Sequence, residues 1–236
     1  MKNKKKHAIV SGASRGIGRA VALKLSQMNY SLSLLGRDKD KLRETQKKCM
    51  EFSSNISINY CDFTQLSSLK KVVEGARENF GSIDVLINNA GVGYPGPIGQ
   101  VPVDNWHKMV AVNLSATIEM SCLCVDDLKQ SSAGAIINIA SIAGKLSFAG
   151  GAGYCASKHG VVGYSGSIFE DLRDHNIKVC AICPGYVNTD MVSKRGLDGN
   201  KMIQPEDIAS TVAFVLNFSK FGCPTEIIIR PQSTVV

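Results

Sequence analysis

The sequence predicts an α/β fold: a doubly wound, seven-stranded parallel sheet with helices on both faces. Two observations carry the prediction, the alternation of elements and the apolar character of the strand candidates. Seven short, predominantly apolar runs alternate with helical patterns through almost the whole chain of 236 residues. Such alternation, with apolar strands, means a parallel sheet covered on both sides. Right-handed crossovers then wind it in two directions. No composition shift, linker, internal repeat or low-complexity stretch divides the chain, so residues 1–236 read as a single domain preceded by a basic tail at 1–6.

In chain order, "HAIVS" at 7–11 is the first strand and leads into a helical stretch at 16–28. The second strand is "SLSLLG" at 31–36, followed by a helix over 38–51, and the third is "ISINYC" at 56–61, followed by a helix over 65–79. "DVLINN" at 84–89 is the fourth strand, and a long helical pattern covers 103–129. The fifth strand, "GAIINIA" at 134–140, precedes a helix over 151–174. "IKVCAIC" at 177–183, a helix over 205–217 and "EIIIRP" at 226–231 complete the pattern. Each of the first six apolar runs is short enough for a strand and is followed by a longer stretch with helical spacing.

Composition bounds the function. The chain is 44% hydrophobic and 20% charged, a globular balance, with a net charge of +7. That charge favours anionic partners. The lysines are spread along the chain and no nucleic-acid motif accompanies them, so a phosphorylated small molecule is the expected partner. No apolar run reaches the roughly 18 residues of a membrane span. The opening "MKNKKKHAIV" is interrupted by "SGASRG" before it attains a secretory apolar region, and Lys2 to Lys6 read as a solvated tail. The eight cysteines read as reduced, buried residues of a cytosolic protein. Cys180 and Cys183 form a C-x-x-C, but inside a strand, and Cys122 and Cys124 lie in a helical stretch without a nearby histidine. No metal site is expected.

Two segments carry chemistry. The first strand runs into "SGASRGIGRAVALKL", in which Gly12, Gly16 and Gly18 punctuate the turn into a helix. Glycine permits close backbone approach, and the helix N-terminus offers free N–H groups and a positive dipole end to a phosphate. This is a dinucleotide-binding turn, and Gly12, Ser14, Arg15, Gly16, Ile17 and Gly18 are its candidate contacts. In "GAGYCASKHG" at 151–160, Tyr154 and Lys158 are four residues apart, one above the other on a helix face. An ammonium there favours the phenolate, which makes the tyrosine a proton donor and acceptor near neutral pH.

The glycine spacing is G-x-x-x-G-x-G. With "NNAG" at 88–91, Asn113, Ser141, Y-x-x-x-K at 154–158 and "PGYVNT" at 184–189 in order, the chain resembles the one-domain short-chain dehydrogenase/reductases over residues 7 to about 229. The resemblance implies a Rossmann fold and a catalytic set of Asn113, Ser141, Tyr154 and Lys158. Tyr154 exchanges a proton with the substrate oxygen, and Ser141 hydrogen-bonds that oxygen. Lys158 assists Tyr154 and holds the nicotinamide ribose, and Asn113 holds a water linking Lys158 to solvent. It also implies nucleotide contacts from Asp62 and Phe63 in "CDFT", from Asn89, Ala90 and Gly91, and from Pro184, Gly185, Val187 and Thr189.

Cofactor choice is read at the end of the second strand. An acidic residue there marks NAD. Gly36 stands in its place, with Arg37 next and Arg15 in the glycine turn, so the expected cofactor is NADP(H). Asp38 either pairs with Arg37 or takes the acidic place one residue late. The substrate side is less defined. Residues 192–203 form a short polar lid, and Tyr94, Leu146, Phe148, Tyr186 and Met191 are either apolar walls or ordinary loop packing.

The expected activity is carbonyl reduction or the reverse on a small molecule. The alternatives are a 3-oxoacyl-carrier-protein reductase and a non-catalytic NADP(H)-binding regulator. The end "CPTEIIIRPQSTVV" lacks the carrier reductases' hydrophobic-Gly-Gly finish, and Ser132 and His175 stand where those enzymes present basic residues. The resemblance further implies a homodimer or homotetramer built on the helices at 103–129 and 151–174.

Overall fold

The computed structural model describes residues 5–192 and 196–235. The basic tail at 1–4 and positions 193–195 of the short lid lie outside the described residues. Seven strands form one parallel sheet in the order β3-β2-β1-β4-β5-β6-β7. They are β1 (His7–Ser11), β2 (Ser31–Gly36), β3 (Ile56–Tyr60), β4 (Val85–Asn88), β5 (Ala135–Ile139), β6 (Lys178–Pro184) and β7 (Glu226–Ile229). The helices are α1 (Gly16–Gln27), α2 (Lys39–Met50), α3 (Leu69–Phe80), α4 (Val103–Val110), α5 (Ala116–Gln130), α6 (Ala152–Leu172) and α7 (Pro205–Asn217).

Alternation of side chains along the strands creates two cores. Ala8, Val10, Leu32, Leu34, Ile87, Ile137 and Ile182 face α1, α2 and α7. Ile9, Leu35, Leu86, Ile136 and Val179 face α3, α5 and the end of α6. β1, β2, β4 and β5 are buried at every residue, whereas the edge strands β3 and β7 are partly exposed. The seven apolar runs of the sequence thus become the seven strands, and the doubly wound prediction holds. The strand order reverses direction between β1 and β4, and a crevice opens at their C-terminal ends.

The long helix predicted over 103–129 is present as the run Val103–Gln130, in which one wide π turn at Ala111–Ser115 joins α4 to α5. The extra residue in that turn re-aims Asn113. As one run, Val103–Gln130 is long and apolar enough to cross a membrane. Here its apolar side, with Met120, Cys124 and Leu128, is buried against the sheet. The helix predicted from 65 begins as a three-ten turn at Leu66–Ser68.

A buried polar network closes the opposite end of the sheet. The His7 ring lies against the Gly81 carbonyl through Nδ1 (3.0 Å) and against Ser33 Oγ through Nε2 (2.9 Å). A carbonyl only accepts, so Nδ1 carries the proton and Nε2 accepts from Ser33, which meets Ser57 Oγ at 3.2 Å. Burial pushes the His7 imidazolium below the ordinary histidine range.

The folded protein therefore resists a proton that the unfolded chain accepts near pH 6.5. The stability contributed by neutral His7 is complete above that pH and is lost as pH falls through the lower folded value. Urea unfolding between about pH 7 and 5 should show stability declining in the parent and a flatter dependence in His7→Gln. Equal slopes in the two proteins would contradict this assignment.

Candidate active site

The turn after β1 is built to admit an anion. Gly12 and Gly16 have φ of +66° and +54°. A Cβ at Gly18 would collide with the Gly12 carbonyl oxygen, and one at Gly12 would stand 2.8 Å from Asn89 Nδ2. Asn89 fixes the turn by donating from Nδ2 to the Ser11 carbonyl at 2.9 Å, while Ser11 Oγ accepts from the Asn89 and Ala90 amides. Thr45 on α2 donates to the Ala13 carbonyl (3.0 Å), and Arg19 donates to the Ser14 carbonyl (2.7 Å). The N-cap residue of α1, Arg15, makes no side-chain cap, and no acidic residue occupies the first turn. The first amides of α1 are thus left for an external acceptor. These features fit a dinucleotide pyrophosphate.

One cleft of about 1080 Å³ extends from this turn to α6. All the sequence-predicted contacts except Asn113 and Gly18 line it: Gly12, Ser14, Arg15, Gly16, Ile17, Arg37, Asp62, Phe63, Asn89, Ala90, Gly91, Ser141, Tyr154, Lys158, Pro184, Gly185, Val187 and Thr189. Gly18 and Asn113 are buried behind the wall, where the first gives the backbone room and the second braces it. Tyr94, Phe148, Tyr186 and Met191 also line the cleft, but Leu146 does not. Leu146 is 55% exposed, and its carbonyl faces the Cys155 thiol.

At the end of β2, Asp38 lines the cleft, and its Oδ1 accepts from the Lys41 amide at 3.1 Å and caps α2. Position 36 is closed to a carboxylate unless Ser14 turns away, because a Cβ there would stand 2.5 Å from Ser14 Oγ. Arg37 is exposed at the cleft. It helps to hold the Asp62 carboxyl below its usual range, although the larger cause is the hydrogen bond from the Thr64 amide. Lys41 and Tyr60 line the same end and were missed in the sequence. Their only signal was position, since Lys41 looks like any exposed helix lysine.

At the other end, α6 presents Tyr154 and Lys158. Lys158 is 4% exposed, and its Nζ donates to the Ile139 carbonyl at 2.8 Å. It lies 5.9 Å from the centre of the Tyr154 ring. Burial pushes it down to about 8. Gly144 lets the turn after β5 approach α6 closely, since a Cβ there would stand 2.7 Å from the Lys158 carbonyl. Ser141 ends the β5 segment in extended backbone and caps a short turn, with Oγ accepting from Ala143 at 3.1 Å.

Asn113 does not reach into the cleft. Its Oδ1 accepts from the Val92 amide (2.8 Å), and Nδ2 donates to the Val92 carbonyl and to Ser157 Oγ (both 3.0 Å). It ties the Gly91–Val92 strip to α6. Beneath it, Asn88 donates to Asn138, which donates to Ser165 on α6. That second asparagine layer also escaped the sequence reading. Among the described residues, no group of three or more His, Cys, Asp or Glu side chains gathers in metal-binding proximity. Cys180 and Cys183 are buried on β6, where burial pushes their thiols up to about 12 and about 11.

Comparison with known proteins places this geometry. The model of the short chain dehydrogenases matches residues 6–199. Carbonyl reductase family member 4 of Xenopus laevis is 32% identical over 214 residues, covering 88% of this chain and 89% of its own. A metagenomic short-chain oxidoreductase solved in complex with NADP superposes with a TM-score of 0.85 at 33% identity, over 97% of this chain and 98% of its own. An alcohol dehydrogenase of Thermococcus sibiricus, solved with 5-hydroxy-NADP, gives 0.89 at 26% identity over 98% of each chain. With its family model matched over most of its length and its backbone superposing on solved relatives, this chain belongs to the short-chain dehydrogenase/reductase family of oxidoreductases.

Proposed function

We propose that the protein is an NADP(H)-dependent oxidoreductase that interconverts a carbonyl and an alcohol on a small molecule, with Tyr154, Lys158, Ser141 and Asn113 as its working residues. The observation that carries the proposal is the buried Lys158 ammonium beside Tyr154, at the end of a cleft that begins in an anion-binding glycine turn. The bound nicotinamide supplies or accepts the hydride. The NADP-bound relatives support the choice of cofactor.

In the direction of reduction, Tyr154 gives its proton to the substrate oxygen. Lys158, cationic below about 8, stabilises the charge left on the phenolic oxygen. The Ser141 hydroxyl donates to the same oxygen and fixes its position. Asn113 acts through others, holding Val92 and Ser157 so that the strip and α6 keep their spacing. The glycine turn and the first amides of α1 would hold the pyrophosphate. Arg37, Arg15 and Lys41 would face the 2′-phosphate, where Gly36 leaves no carboxylate to repel it. The same proposal includes one domain with an integral catalytic site, a cytosolic location and a homo-oligomer on α4, α5 and α6.

Tyr154→Phe removes one oxygen and should lower reduction of a small diketone by about 10²-fold or more. NADPH binding, followed by nucleotide fluorescence, should be nearly unchanged. Full turnover in that variant would sink the mechanism.

The parent should prefer NADPH to NADH by about 10- to 100-fold, the worth of one charge-assisted contact. Arg37→Ala should cut the preference by about tenfold and leave NADH untouched. Equal kcat/KM for the two nucleotides in the parent would mean that Arg37 is a surface residue only.

A further inference from the structure

Arg15 is not waiting in solvent. Its Nη1 donates to Asp190 Oδ2 at 2.8 Å, and both side chains line the cleft. The pair spans two loops. Arg15 belongs to the glycine turn, and Asp190 follows Thr189 in the segment after β6. The loops already touch there, since a Cβ on Gly16 would meet Thr189 Cγ2 at 3.0 Å. The pair therefore crosses the cleft mouth at the turn that would hold the cofactor's phosphates.

We infer that Asp190 is a cofactor-selectivity residue, a built-in competitor that a nucleotide's 2′-phosphate must displace from Arg15. This rests on the NADP(H) reading above. The two side chains are 60% and 61% exposed. An ion pair that open contributes no more than about 1 kcal/mol. A phosphate monoester carries about −1.5 to −2 charges and takes a guanidinium through two parallel bonds, so it wins the exchange. The exchange lowers the net gain from Arg15 for NADPH. NADH has no 2′-phosphate and leaves the pair intact. Asp190 thus narrows the preference that Arg15 and Arg37 establish.

The test is a double-mutant cycle read by nucleotide fluorescence, with no turnover required. Kd for NADPH and for NADH is measured in the parent, Asp190→Asn, Arg15→Met and the double variant. Asp190→Asn should raise the NADPH-over-NADH binding ratio by about three- to fivefold, the equilibrium equivalent of one exposed ion pair. The gain should vanish in the Arg15→Met background and shrink at high salt. An unchanged ratio, equal tightening of both nucleotides, or a gain that persists without Arg15 would each overturn the role of Asp190. A parent that binds both nucleotides equally would overturn the cofactor reading itself. A parent that prefers NADPH, with a ratio indifferent to Asp190, would overturn only this inference.

Discussion

The site depends on one buried ammonium. Taking a lysine out of water costs several kcal/mol unless its protons find acceptors. Lys158 finds the Ile139 carbonyl at the end of β5, and burial alone brings it down to about 8. Much of the local architecture follows from keeping that group in place. Gly144 lets the turn after β5 close onto the Lys158 backbone. Asn113, exposed to the right neighbours by the π turn, holds the strip beside it. A lysine in this setting remains mostly charged at neutral pH yet stands close to losing its proton, which suits a group that must steady a proton donor without trapping the proton.

The other end of the cleft is governed by exposed charge. There the backbone turn supplies shape, and Arg15, Arg37 and Lys41 supply positive charge at little desolvation cost. Two carboxylates, Asp38 and Asp62, line the same end and keep their negative charge while accepting from the Lys41 and Thr64 amides, so they weigh against the cations there. Asp190 differs, because it pairs with one of the cations themselves.

The fold was largely legible because its central strands are buried on both sides and leave uninterrupted apolar runs. The helices were legible by spacing, except where spacing is blind. A π turn at 111–115 keeps the polar and apolar residues of a continuous helix, so the turn within 103–129 left no trace. The glycines of the turn were legible because close backbone approach demands that residue type, and the Tyr154 and Lys158 pair stood out by its helical spacing. Lys41 and Asp190 were not, because ordinary surface residues become site residues only through where the loops carry them. Asp38 was ambiguous for the same reason, since a cap and a ribose ligand look alike in sequence until the helix start is known. The walls were half legible: Tyr94, Phe148, Tyr186 and Met191 reach the cleft, but Leu146 turns away.

The most direct measurement is the titration of the Lys158 ammonium in the folded protein. NMR of lysine labelled at Cε and Nζ, with the resonance assigned by its loss in Lys158→Met, would follow it. The account predicts a midpoint near 8. A midpoint at the ordinary lysine value of 10.5 would mean that the ammonium is solvated, and would contradict the burial on which the proposed function rests.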